Sequence, residues 1–136
     1  MKVLLDLPEI TTKDKAISVD KGNGTKVGYY IFPEFEIHTN TIEPGTEQEW
    51  HHHKKIEEVL LVNSGELVAL WQDSTKKIRE KILAPGDMIR VGASTHTFAN
   101  RGGQTVNFTV FRYVPDGQDK HELIKNDRYP DIVEET

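Results

Sequence analysis

The sequence predicts an all-β fold, a sandwich or barrel of short strands. Two observations predict it: runs rich in β-branched and aromatic residues, and turn chemistry that separates these runs at close, even intervals. The stretch 20–25, "DKGNGT", is the first obvious turn, because Gly22, Asn23 and Gly24 tolerate positive φ. The strand patterns "KVGYYIF" and "FEIHTNTIE" follow, with Pro33 interrupting the ladder between them as an edge or bend. Glu43-Pro44-Gly45 ends the second with a turn.

The alternation then continues. "EVLLV" runs into Asn63-Ser64-Gly65, "ELVALWQ" into Asp73-Ser74, and "KIREKIL" into Ala84-Pro85-Gly86. "DMIRV" runs into Gly92-Ala93-Ser94, "HTFAN" into Arg101-Gly102-Gly103, and "QTVNFTVFRYV" into Pro115-Asp116-Gly117. So many short strands need a closed or doubled sheet to protect their edges. The tail "DGQDKHELIKNDRYPDIVEET" differs: 118–125 is expected to form one or two helical turns starting near Asp116, with a frayed end after Pro130.

A chain of 136 residues without repeats or linkers fits one domain, 1–136. With 22 acidic against 17 basic side chains and no basic cluster among aromatics, a nucleic-acid partner is not expected. The apolar run before Asp6 is too short for a signal-peptide core or a membrane span, so a cytoplasmic protein without a membrane partner is expected. Cysteine is absent, which removes disulfides, thiolate sites and cysteine nucleophiles. Any metal must be held by nitrogen and oxygen.

The stretch 49–58, "EWHHHKKIEE", concentrates the candidate chemistry. In an extended chain, side chains two apart share a face, so His51 and His53 can converge while His52 points away. Alone, three adjacent histidines fit a solvated loop as well as a ligand pair. A carboxylate soon afterwards would supply an anionic oxygen, and Glu57 and Glu58 both offer one, on opposite faces of the next strand.

The spacing Gly45-x5-His51-x-His53-x4-Glu58-x6-Gly65 resembles the first motif of the cupin superfamily at every defining position, and the final gap selects Glu58. "PGDMIRVGASTHTFAN" is similar to the second motif: Gly86-Asp87 opens it and His96 with Asn100 closes it. It departs in having "GAST" before His96 in place of Pro-x-Gly, and in being one residue shorter than usual. The resemblance covers about 35–112, preceded by an N-terminal strand segment, 1–34, and followed by the tail, 114–136. It implies a single-domain double-stranded β-helix, or jelly-roll barrel, with a metal in the barrel mouth held by His51, His53, Glu58 and His96.

This set leaves about two of six octahedral positions open for a small-molecule substrate. Iron(II) or manganese(II) is the favoured ion, with nickel, cobalt, copper and zinc compatible. The resemblance implies a mononuclear metalloenzyme for a small oxygenated metabolite, a dioxygenase, decarboxylase, isomerase or lyase. Glu58 would be the catalytic residue, as a ligand or as a base that leaves the metal. The alternatives are a non-catalytic small-molecule binding or sensing module and a metal-free sugar-nucleotide isomerase. A homodimer is expected by analogy, with the N-terminal segment adding a strand across its interface.

Other residues read more plainly. Lys54, Lys55 and Glu57 are expected in an exposed turn, and His121 in an exposed tail. His38 is read as a surface histidine, with lining the mouth as the alternative. Gly45, Gly65 and Gly86 mark turns, and Asn100 is expected to bond loop backbone. Leu60 and Val62 share the face of Glu58, and Phe98 that of His96, so these should wall the pocket. Val106, Phe108, Val110 and Arg112 form one face of the last strand and Asn107, Thr109, Phe111 and Tyr113 the other, with either free to look inward. Arg90 and Arg112 are the candidates to bind an anionic substrate.

Overall fold

The structure is a computed structural model that describes residues 4–115, 126, 129 and 130. The helical turns expected over 118–125, and His121, lie outside the described residues. A 3-10 turn at Lys13–Lys15 precedes nine strands. These are β1 (Ile17–Asp20), β2 (Thr25–Ile31), β3 (Phe35–Ile42), β4 (Glu57–Ser64), β5 (Leu67–Gln72), β6 (Ile78–Leu83), β7 (Met88–Arg90), β8 (His96–Ala99) and β9 (Val106–Tyr113). Every expected strand is present, and Pro33 stands in the bend between β2 and β3.

The strands form two sheets, one in the order β1-β2-β3-β9-β4-β7 and one in the order β6-β5-β8. All pairings are antiparallel. The stretch 45–51 runs along the free side of β8, tied to it by bridges at Glu47–Ala99 and His51–His96. The core draws Ile42, Leu60, Val62 and Phe108 from the larger sheet and Leu67, Ala69, Leu83 and Phe98 from the smaller. The two apolar faces therefore pack against each other, as a jelly roll requires.

β9 is the strand whose facing alternation left open. It lies between β3 and β4, and Val106, Phe108 and Val110 are buried while Asn107 and Phe111 are exposed. A strand flanked on both sides buries its apolar set most completely, so Arg112, on that same set, is turned toward the interior.

Ile17–Asp20 forms one edge of the larger sheet and pairs with β2, Ile17 opposite Tyr29. Among the described residues no helix is long and apolar enough to cross a membrane.

Two residues hold the loops that position the site. Gly65 turns β4 into β5 at φ +80°, and a Cβ there would stand 2.9 Å from the Thr105 carbonyl oxygen, so glycine is required on both counts. Asn100, 1% exposed, donates from Nδ2 to the carbonyls of Ile42 (3.1 Å) and Gln104 (2.7 Å), and its Oδ1 accepts from Gly102 N–H. It bonds backbone, as expected. Asn100→Ala should leave the buried Ile42 carbonyl and the part-buried Gln104 carbonyl without this donor and lower stability by about 1–3 kcal/mol. Urea unfolding checks this, and an unchanged midpoint would count against the assigned role.

Candidate metal centre

Two sheets contribute to one cluster. His51 is fixed by its bridge to His96, with His51 N–H donating to the His96 carbonyl at 3.0 Å and the reverse bond at 2.9 Å. Such a pair places the two imidazoles side by side, 4.5 Å between ring centroids. His53, two residues on, lies 5.0 Å from His51 and 5.5 Å from His96 by the same measure. Glu58 reaches in from β4 on the opposite sheet. One donor atom from each of His51, His53, Glu58 and His96 lies within 4.8 Å of all the others, so this group could hold a metal ion.

The tautomers follow from local hydrogen bonds. His51 Nδ1 is 2.9 Å from the Glu49 carbonyl and His96 Nδ1 is 2.9 Å from the Ser94 carbonyl. A carbonyl oxygen accepts, so both Nδ1 atoms carry the proton and both Nε2 atoms present a lone pair. Nε2 of His53 and Nε2 of His96 each stand 3.5 Å from Glu58 Oε2. Both nitrogens are buried without a hydrogen-bond partner among the described residues. The His96 lone pair and the carboxylate repel at this distance unless a cation lies between them, and buried polar atoms seldom stay unpaired. The donor set therefore fits a divalent ion, and the backbone bonds at Nδ1 are the outer contacts that orient ligating imidazoles.

Charge agrees with this. Burial lowers the pKa of His53, against the pull of Glu58, and so favours the neutral, ligating ring. For Glu58, burial pushes the carboxyl up, but a hydrogen bond from His96, were its Nε2 protonated, and the charge and hydrogen bond of Arg112 oppose burial and lower it toward about 2. With the His96 proton on Nδ1, Arg112 is the partner that lowers it. Its Nε donates to Glu58 Oε1 at 2.7 Å, whereas His96 stands at 3.5 Å with a lone pair toward the carboxylate. Arg112 faces both Glu58 on β4 and Glu36 on β3 across the ladder.

A cavity of about 230 Å³ adjoins His51 and Glu58. Leu60, Phe98, Phe108 and Val110 form its apolar wall, as expected for Leu60 and Phe98, while Val62 lies deeper in the core. Arg112 lines it; Arg90 does not, because it points outward to Glu57 (2.8 Å) with its side chain 68% exposed. His52, Lys54 and Lys55 are exposed, as expected. Glu57 is a correction: it is 7% exposed, since β4 already begins there and its ion pair with Arg90 lies in the sheet. His38 is another, 3% exposed and lining the cavity. The signal for His38 was strand parity, since it shares a face with Asn40 and Ile42, both buried; parity gave no such signal for Glu57, which shares a face with the exposed Leu61.

The comparisons with known proteins agree with this architecture. No curated protein matches the chain. Among solved structures, a sugar phosphate isomerase from a cupin superfamily of Silicibacter pomeroyi aligns at TM-score 0.57 and 23% identity, covering 68% of this chain and 60% of that one. An oxalate oxidase aligns at TM-score 0.64 and 19% identity, covering 77% and 59%. Drosophila melanogaster CENP-C, solved bound to CAL1, aligns at TM-score 0.67 and 18% identity, covering 76% and 80%. At these identities the likeness is one of fold, and the first two proteins are longer than the part this chain spans. A family model described as Cupin domain matches residues 38–112, from the cavity histidine on β3 to the arginine that holds Glu58. The nine strands among the described residues and this match agree, and the chain belongs to the cupin family.

Proposed function

We propose that this chain, as one domain, binds a single divalent transition metal through His51, His53, Glu58 and His96 and is an enzyme for a small oxygenated metabolite. The observation that carries this reading is the pair of buried nitrogens, Nε2 of His53 and the unprotonated Nε2 of His96, that face Glu58 Oε2 without a hydrogen-bond partner among the described residues. Three imidazoles and one carboxylate suit iron(II) or manganese(II), and about two octahedral positions would stay open toward the cavity. An ion held there would act as a Lewis acid on an oxygen of the substrate. The protein's own contributions are separable from that. Leu60, Phe98, Phe108 and Val110 exclude water on one side of the cavity. Arg112 takes Oε1 of Glu58 and so leaves Oε2 for the ligand position. Glu58 is the catalytic candidate, since a carboxylate that shifts off the ion can accept a proton.

Elemental analysis of protein made without a histidine tag, after growth with iron and manganese supplied, should give about one ion per chain. Less than about a tenth of an equivalent, with no uptake on titration, would overturn the reading. Oxygen-uptake and substrate-depletion assays with small diols, keto acids and phenols then test catalysis. The family analogy also supports a homodimer, for which light scattering should give about twice the chain mass.

A further inference from the structure

The proposed function leaves one buried imidazole unused. His38 on β3 lines the same cavity as His51, Glu58 and Arg112. Its Nε2 lies 2.8 Å from Glu36 Oε2, two residues back on the same strand face. A carboxylate oxygen accepts, so Nε2 carries the proton and Nδ1 the lone pair. Nδ1 has no hydrogen-bond partner among the described residues. The edge of the ring stands against Tyr29, centroids 4.5 Å apart, which fixes its plane. Burial lowers its pKa against the pull of Glu36, and this keeps the ring neutral. A neutral, oriented imidazole offering a lone pair selects a ligand that donates: a hydroxyl rather than a carbonyl or carboxylate oxygen.

The rest of the cavity selects the other end of the ligand. Arg112 uses Nε for Glu58, and its terminal nitrogens have no hydrogen-bond partner among the described residues. A divalent ion, one carboxylate and one guanidinium leave net positive charge at this pole, which favours an anionic oxygen. About 230 Å³ is small for a ligand site and suits a few carbons better than a nucleotide.

We propose that the cavity takes a small hydroxylated carboxylate, its carboxylate toward Arg112 and the metal-binding group and its hydroxyl donating to Nδ1 of His38. This rests on the metal-centre reading for the carboxylate end; the hydroxyl end stands on His38 and Glu36. The test compares paired probes that differ by one hydroxyl, lactate with propionate and malate with succinate, bound to the zinc-loaded full chain and followed by calorimetry. The advantage of the hydroxy acid should fall about fivefold in His38→Phe, the size expected for one hydrogen bond. An unchanged advantage would overturn the proposal. Nitrogen-15 NMR of the wild-type chain gives a second readout that needs no variant and no metal. It should show His38 protonated at Nε2, with Nδ1 responding to lactate and not to propionate; protonation at Nδ1 would overturn it. Failure of the chain to retain zinc, with the His38 tautomer as expected, would count against the metal centre and not against His38.

Discussion

Replacing His51, His53 or His96 by alanine should abolish stoichiometric metal while leaving the double sheet folded. Each imidazole is one of the four proposed donors, and even outer contacts to ligands are worth about 10–100-fold in affinity. Loss of a ligand itself should exceed that. The fold should survive because the core of Ile42, Leu60, Leu67, Phe98 and Phe108 lies beside the cluster and does not depend on it. His53 is the cleanest choice, since it belongs to no named strand and its backbone makes no sheet pairing. His51 and His96 also bridge through their backbones, which alanine preserves. Metal analysis beside circular dichroism checks the outcome, and full metal retained by both the His51 and His53 variants would sink the assigned ligands.

Arg112→Met should destabilise the metal-free protein by about 1–3 kcal/mol, because it strands the Glu58 carboxylate, 3% exposed, without its firmest partner. Breaking a fully buried pair costs about 3–5 kcal/mol. The Arg112 side chain is 32% exposed, so water replaces part of what is lost, and the lower figure applies. With metal bound the loss should shrink, since the ion supplies the counter-charge. Urea unfolding with and without metal measures both, and equal losses in the two states would contradict the role given to Arg112.

The same carboxylate makes stability depend on pH. Glu58 is held at about 2 in the folded chain against an ordinary 4.5, so its contribution is fully present above about pH 4.5. It is lost as pH falls from there toward 2, where the folded carboxyl protonates. The stability advantage of the wild type over Glu58→Gln should therefore shrink across that window. An advantage independent of pH between 5 and 2 would show that Glu58 is not held as described.

Much of this was legible in the sequence because it depends on short spacings. The strands follow from β-branched runs between turn residues, and the pair His51 and His53 with Glu58 follows from one motif. Glu57 and His38 were misjudged for a common reason: local polarity suggested an exposed turn and an exposed strand, but both side chains are covered by residues distant in sequence. Arg90 closes over Glu57 from 33 residues away. His38 lines a cavity whose other walls come from β2 before it and from β4, β8 and β9 after it.

What the sequence by itself determined is the strand order along the chain, the turns and the convergence of His51 and His53, since these follow from alternation, while Glu58 and His96 were singled out by the resemblance to the cupin motifs. Tertiary structure decided which face of β9 looks inward, and with it that Arg112 rather than Arg90 meets Glu58. It also decided that His38 belongs to the cavity. Alternation assigns residues to two faces, but which face is buried depends on the second sheet that packs against it.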